Sequence, residues 1–473
     1  MSLPDSTDQM YLAYGKCINE SLVGGTSLGS DRLHIAPLSY QAIPLRSTTN
    51  EFYQNYNIYA FGNNIPRDDE PLLSSSGLGY FTAYTTYLAN IDLSKGVKLQ
   101  NPQAVQDAQA DVLDKEKQRS KAVKDATESY KDDCPNGIDA ITGSPITFAN
   151  YLKTYHPEVQ TLIDAVNNAN ARWTELLNEE EQKGIIAQLQ DFRDRLAKGA
   201  SQTLAEGYNM QAVIIDPDTV KQVVSGQLTA TPTPSLCEPL YALGADLDSV
   251  ASQWVTSFPA AYPNDRTEYL RKAHSFEFSF EDAATSTWAD LGFSTSTHHS
   301  GSSGWIFWNH TDETTNTTTT TNVDVTGSDI QGKITLRMWG HQVLDINYGA
   351  WYNGNPAATF KDLYASADDS VKKNILEQFK KVLFAYGVEI TFKLSKSAWD
   401  TVHQVRTDTS TSNNSMSIFG CIYSNDSSSS SSNTTSFDSL KLTSSDNSVT
   451  MLAVNDGVPL VLGAIASVFD AGT

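Results

Sequence analysis

The chain has 473 residues and a formal net charge of −22, from 33 Lys+Arg against 55 Asp+Glu. Nucleic-acid binding needs a cationic footprint that displaces counterions from phosphates, and none is present: Lys115, Lys117, Arg119, Lys121 and Lys124 alternate with Asp114, Glu116 and Asp125 as a solvated helix face. Hydrophobic residues at 40% supply a sizeable core, the length fits two or three domains, and the low charged fraction of 19% is made up by Ser, Thr and Asn.

The N-terminus, Met1-Ser2-Leu3-Pro4-Asp5-Ser6, lacks the basic region and apolar run of a Sec signal. No stretch reaches the ~20 apolar residues of a membrane-spanning helix. Cytoplasmic location is the default expectation, with export by a non-Sec route left open. Cys17, Cys134, Cys237 and Cys421 form no CxxC pair and read as separate thiols in a reducing compartment.

Residues 1–100 read as an irregular, aromatic-rich segment that packs on the rest of the chain, with Phe52, Tyr53, Tyr56, Tyr59 and Phe61 close together and Tyr80, Phe81, Tyr84 and Tyr87 following. Residues 101–133 predict one polar helix, ended by Cys134-Pro135-Asn136-Gly137. Over 157–198 the apolar positions Leu162, Val166, Ala169, Trp173 and Leu176 step by 3 and 4, and Ile185, Leu189, Phe192 and Leu196 resume the pattern. That spacing predicts a long helix with one apolar edge, available to its own domain or to a second copy. Thr231-Pro232-Thr233-Pro234 reads as a stiff linker, and 240–269 as helix broken at Pro259 and Pro263.

At 275 the pattern turns to alternation, with Phe276, Phe278 and Phe280 on one face of an expected strand. A set of landmarks then occurs twice in one order. The first copy runs Phe276–Phe280, Trp288, Ser294-Thr295-Ser296-Thr297, Trp305-Ile306-Phe307, the Thr314–Thr321 tract, and Lys333-Ile334-Thr335-Leu336. The second runs Val388–Leu394, Trp399, Thr409-Ser410-Thr411-Ser412, Ser417-Ile418-Phe419, the Ser427–Ser432 tract, and Leu440-Lys441-Leu442-Thr443. Between the copies, Leu376, Phe379, Leu383 and Phe384 mark a helical segment over 367–386. The expected fold is therefore α+β: a helical N-terminal half, with a helical domain at 101–274, then a β-rich, sandwich-like C-terminal half with an internal duplication. The first β unit spans 275–366, and a helix plus the second β unit spans 367–473. Each unit projects a Ser/Thr-rich excursion, read as a mobile loop or a hairpin arm.

Nucleophile and phosphate motifs are missing: there is no GxSxG, no Walker A and no GxGxxG. His298, His299 and His310 lie with Asp312 and Glu313 in the first excursion, residue types that could hold a divalent metal, although no HExxH is present. Trp305, Ile306, Phe307 and Trp308, with Ile418 and Phe419 at the matching place in the second copy, are the candidate binding residues. At an exposed tip they form an adhesive patch for a partner or a membrane interface.

Two Ser/Thr-rich excursions beside a helical region resemble, in architecture, the β-barrel pore formers, whose members hold two hairpins or their helical stand-ins in this way. The resemblance implies membrane action and transfers no residue role. Three functions are expected in order: a non-enzymatic binding or self-associating protein, with a protein partner or homo-oligomer; a membrane-acting or pore-forming protein; and a metal-dependent hydrolase using the His-rich excursion.

Overall fold

The computed structural model describes residues 6–24, 28–36, 43, 45, 51–66, 71–73, 79–91, 100–133, 141, 148–178, 183–201, 210–212, 237–239, 241–284, 286–293, 306–312, 317–322, 329–349, 351–354, 356–360, 363, 377–410, 415–418, 421–424 and 434–468. The helices α1 (Ser6–Ile18), α2 (Glu51–Gly62), α3 (Tyr80–Ala89), α4 (Pro102–Asp133), α5 (Phe148–Tyr155), α6 (Pro157–Asn178) and α7 (Lys183–Ser201) come first, with strand β1 (Asp31–Ile35) between α1 and α2. The short strands β2 (Met210–Ala212) and β3 (Cys237–Pro239) pair with each other, and β4 (Ala242–Leu243) follows. Next come α8 (Leu247–Ser257), α9 (Thr267–Lys272), β5 (His274–Phe278) and α10 (Phe280–Ala284). The rest is mostly strand: β6 (Ile306–Asp312), β7 (Thr317–Asn322), β8 (Ile334–Asn347), β9 (Glu377–Lys393), β10 (Ser415–Ile418), β11 (Cys421–Ser424), β12 (Thr434–Ser436), β13 (Leu440–Thr443), β14 (Ser448–Met451) and β15 (Leu460–Val468). Helices α11 (Pro356–Thr359) and α12 (Lys396–Ser410) interrupt them. The fold is mixed α+β around an antiparallel sheet.

Strand β9 is the axis of an eight-stranded sheet. Strand β8 runs antiparallel along one of its edges from Thr335↔Thr391 to Asp345↔Lys381. Two strands share the other edge: β15 pairs with Glu377–Ala385, and β14 pairs with Ile390–Lys393. Beyond them lie β1 on β15 and β13 on β14, while β5 and β4 occupy successive stretches of the far edge of β8.

Among the described residues, two large cores and a smaller one around Phe258, Tyr269 and Tyr386 cover this sheet. Phe379, Val382 and Phe384 of β9 join Leu344 and Ile346 of β8 in one, under α2, α3, α4, α6 and α7. Leu383, Ala385, Ile390 and Phe392 join Leu336 and Met338 in the other, under α1, Trp288, Leu291 and α12. Strand β9 is thus covered on both faces in its first half. A strand buried on both sides loses its alternation and reads as a continuous apolar run. That is why Phe379, Leu383 and Phe384 imitate a helix; the expected helix over 367–386 is instead strand from Glu377 onward.

Other expectations also change. The 157–198 pattern belongs to two helices, α6, which packs mainly on α4, and α7, which reaches α6 through Arg193. The Arg193 guanidinium lies 3.6 Å from the centre of the Trp173 ring and donates to Asn170 Oδ1. Trp173 is fully buried within the chain and belongs to its core. Among its described residues the 1–100 segment includes helices α1, α2 and α3, and Tyr59, Phe61, Tyr80, Tyr84 and Tyr87 are buried. Tyr80 meets Tyr348 edge-on at 5.2 Å and Tyr84 meets Trp351 at 5.5 Å, which fastens α3 to the segment after β8. Strand β5 ends at Phe278, so Phe280 starts α10 and does not continue the alternation. The 231–234 linker lies outside the described residues.

Candidate functional site

Both excursions leave and rejoin the main sheet. The first separates Phe278 of β5 from Ile334 of β8 by 55 residues, and the second separates Lys393 of β9 from Leu440 of β13 by 46. Their stems are bonded to each other. Gln331 N donates to Lys393 O at 2.9 Å, and Ser395 N donates to Asp329 O at 2.7 Å. Ser395 Oγ donates to Asp329 Oδ1 at 2.9 Å and accepts from Ala398 N at 3.3 Å, so the residue that caps α12 also ties the stems together. Helix α12 buries Ala398, Trp399 and Val402, an apolar edge at helical spacing, in the same core as Trp288.

Beyond the stems the excursions form one sheet, of five strands in the order β12-β11-β10-β6-β7. Its central pair joins the two excursions, with β6 antiparallel to β10 and Ile306↔Ile418, Phe307↔Ser417, Trp308↔Met416 and Asn309↔Ser415 in register. Strand β11 continues the rows, with Cys421 opposite Ile418 and Tyr423 opposite Met416. Alternate positions of a strand belong to one sheet face. The rows Ile306–Ile418–Cys421 and Trp308–Met416–Tyr423 therefore share a face, and the row between them holds Phe307, Ser417 and Ile422. Farther out the rows become polar: His310↔Thr319, Thr311↔Thr318 and Asp312↔Thr317.

Of the candidate binding residues, Ile306, Phe307, Trp308 and Ile418 are brought together in adjacent rows; Trp305 and Phe419 lie outside the described residues. Ile418 is fully buried and belongs to the core under α12, so it anchors the base of the excursion sheet. Of the candidate metal ligands, His310 lies in β6 and pairs with Thr319, while His298 and His299 lie outside the described residues. Among the described residues, no group of three metal-ligating side chains occurs. Nor is any helix among them long and apolar enough to cross a membrane.

On the main sheet, the centre of β8 and β9 carries a clamp that the sequence reading missed. Gly340 and Gly387 lie close together on these strands, and Gly387 has φ of +57°. A Cβ on Gly340 would lie 2.3 Å from the Trp254 ring of α8, and one on Gly387 would lie 2.6 Å from Phe258 Cε2. Below them Glu389 is fully buried. Arg266 grips its carboxylate with Nε at 3.0 Å and Nη2 at 2.5 Å, Tyr262 donates at 2.9 Å, and Arg337 Nη1 stands 3.6 Å away. Burial first, then the Glu389 charge, pushes the Tyr262 and Tyr269 hydroxyls well above the usual phenol range. Both therefore stay protonated donors, Tyr269 to Gly387 O at 2.6 Å. Every side of the Glu389 carboxylate is taken, which makes this a structural clamp of the 247–272 segment on the sheet. No short-range motif could have found it, because Arg266 and Glu389 are 123 residues apart and the chain holds 55 acids.

An α+β protein with two excursions joined into a second sheet is the class that fold and site define. Comparison of the chain with protein-family models, with curated proteins and with solved structures finds no match.

Proposed function

We propose that this is a non-enzymatic, self-associating protein that acts on membranes through its two excursions. The pairing of β6 with β10 carries the reading. Two segments far apart in the chain meet in one sheet, whose base rows are apolar and whose outer rows are Ser/Thr-rich. The two β units are read as copies of one duplicated element, and each contributes one arm. A lipid-crossing strand needs about 9–11 residues. The observed strands β6, β7, β10 and β11 have 7, 6, 4 and 4 residues. Crossing therefore requires them to lengthen into their flanking segments, and excursions of 55 and 46 residues hold enough chain for two such strands each. Closing a barrel removes open edges, which one copy cannot do with four strands, so self-association is part of the same reading.

The test is dye release from liposomes, read together with solution mass in the presence and absence of lipid. Release at low protein-to-lipid ratio, accompanied by a multimeric mass, is expected. Trp305→Ser with Trp308→Ser is expected to lower it, because aromatic residues anchor at the membrane interface. Absence of release across lipid compositions, with a lipid-independent mass, removes the membrane part and leaves protein–protein binding.

A further inference from the structure

A cleft of about 360 Å³ opens where the second excursion rejoins the main sheet. Its walls include Arg266 from the segment before α9, Arg406 of α12, Asp438 from the turn before β13, and Leu440, Lys441 and Leu442 of β13. In a chain of net charge −22, three cations converge there with one acid.

Among the described residues, the cations are not fully neutralised. Arg266 shares the Glu389 carboxylate with Arg337, so two guanidinium groups face one carboxylate and leave one positive charge in excess. Arg266 uses Nε and Nη2 on Glu389, which leaves Nη1 to donate elsewhere. Arg406 is half-buried, and its Nε is buried with no hydrogen-bond partner. Among the described residues no carboxylate pairs with it. A buried guanidinium N–H without an acceptor is unfavourable and is normally satisfied. Lys441 is exposed at the cleft wall. After Asp438 is counted against them, the excess at Glu389, Arg406 and Lys441 comes to about two positive charges at working pH.

We propose that this cleft binds a phosphate monoester. A dianion matches the excess charge, whereas a monoanionic carboxylate leaves part of it uncompensated. The planar guanidinium fork suits phosphate oxygens, and Arg406 lines the cleft. Leu440 and Leu442 flank the polar groups and suit the carbon side of an ester. The same headgroup chemistry occurs in soluble phosphate esters and in phosphatidic acid. The lipid source rests on the membrane reading above; the soluble one does not.

The test is calorimetric titration of the full-length protein with glycerol phosphate, with acetate as the monoanion, and co-sedimentation with phosphatidylcholine vesicles with and without phosphatidic acid. Glycerol phosphate is expected to bind saturably and acetate not to. Arg406→Gln is expected to weaken binding about tenfold and to leave the melting temperature of the free protein unchanged, since Arg406 has no hydrogen-bond or ion-pair partner among the described residues to lose. Lys441→Gln weakens it less, and Arg195→Gln on α7 leaves it unchanged. Co-sedimentation only with phosphatidic acid, lost in Arg406→Gln, assigns the lipid headgroup; binding of the soluble ester without co-sedimentation assigns a free phosphate ester. No binding in either arm, equal binding of acetate, or an Arg406→Gln protein that binds as tightly as the original overturns the proposal. Loss of dye release with glycerol phosphate binding intact removes the membrane reading alone.

Discussion

Asn309 in the first excursion stands in register opposite Ser415 in the second, with the whole of β8 and β9 lying between them in the chain. Facing Cα atoms of an antiparallel pair are about 4.5–5.5 Å apart, within the range a disulfide spans. In a Cys421→Ser background, Asn309→Cys with Ser415→Cys is therefore expected to close a disulfide under mild oxidation, read by intact mass and by mobility on a non-reducing gel. A protein whose excursions are separate would stay reduced.

The Trp254 ring occupies the space that a Cβ at position 340 would need. Gly340→Ala is expected to destabilise the protein by about 1–3 kcal/mol through overpacking. Placed on Trp254→Ala, the same change should cost much less. Urea midpoints of the four proteins in a double-mutant cycle read the coupling; additive effects would place the ring elsewhere.

Removing one partner of a buried ion pair is costly because the other charge stays behind. Glu389→Ala leaves Arg266 and Arg337 without their shared carboxylate and is expected to cost about 3–5 kcal/mol. Arg337→Ala should cost clearly less, since its Nη1 is 3.6 Å from Glu389 while Arg266 makes the two-pronged contact. Denaturant titration gives the order, and a larger loss for Arg337→Ala would contradict the geometry.

His341 contributes a pH dependence to stability. Burial, then the His274 ring with its centre 4.5 Å away, holds its imidazole below the usual value of 6.5. The unfolded chain takes up a proton at His341 as the pH falls through 6.5, and the folded protein does so only at lower pH. Acid therefore favours the unfolded state, and above the unfolded value the group contributes nothing. The urea midpoint should fall between about pH 7.5 and 5.5, and fall less in His341→Gln. Equal slopes in both proteins would remove His341 as the cause.

Sequence patterns revealed the elements with one clean apolar edge. The polar helix expected over 101–133 is α4, Pro102–Asp133, and Pro157 opens α6. They failed where burial is two-sided, as in β9, and where the chain switches faces. Leu383 and Ala385 point to the same core as Ile390 and Phe392, a change of parity at Gly387 that no period can follow. The candidate site was half legible. Two excursions with apolar segments at Ile306–Trp308 and Ile418 were visible, but Ser and Thr on either face look alike, so nothing in the tracts specified that β6 would pair with β10.

The most direct test of the central claim is dye release by the Asn309→Cys, Ser415→Cys, Cys421→Ser protein in its reduced and oxidised forms. If short paired strands must part and lengthen to cross a bilayer, the reduced protein releases dye, the disulfide form does not, and reductant restores release. Equal release by both forms, or release by neither, would contradict an account in which the paired excursions are the acting element.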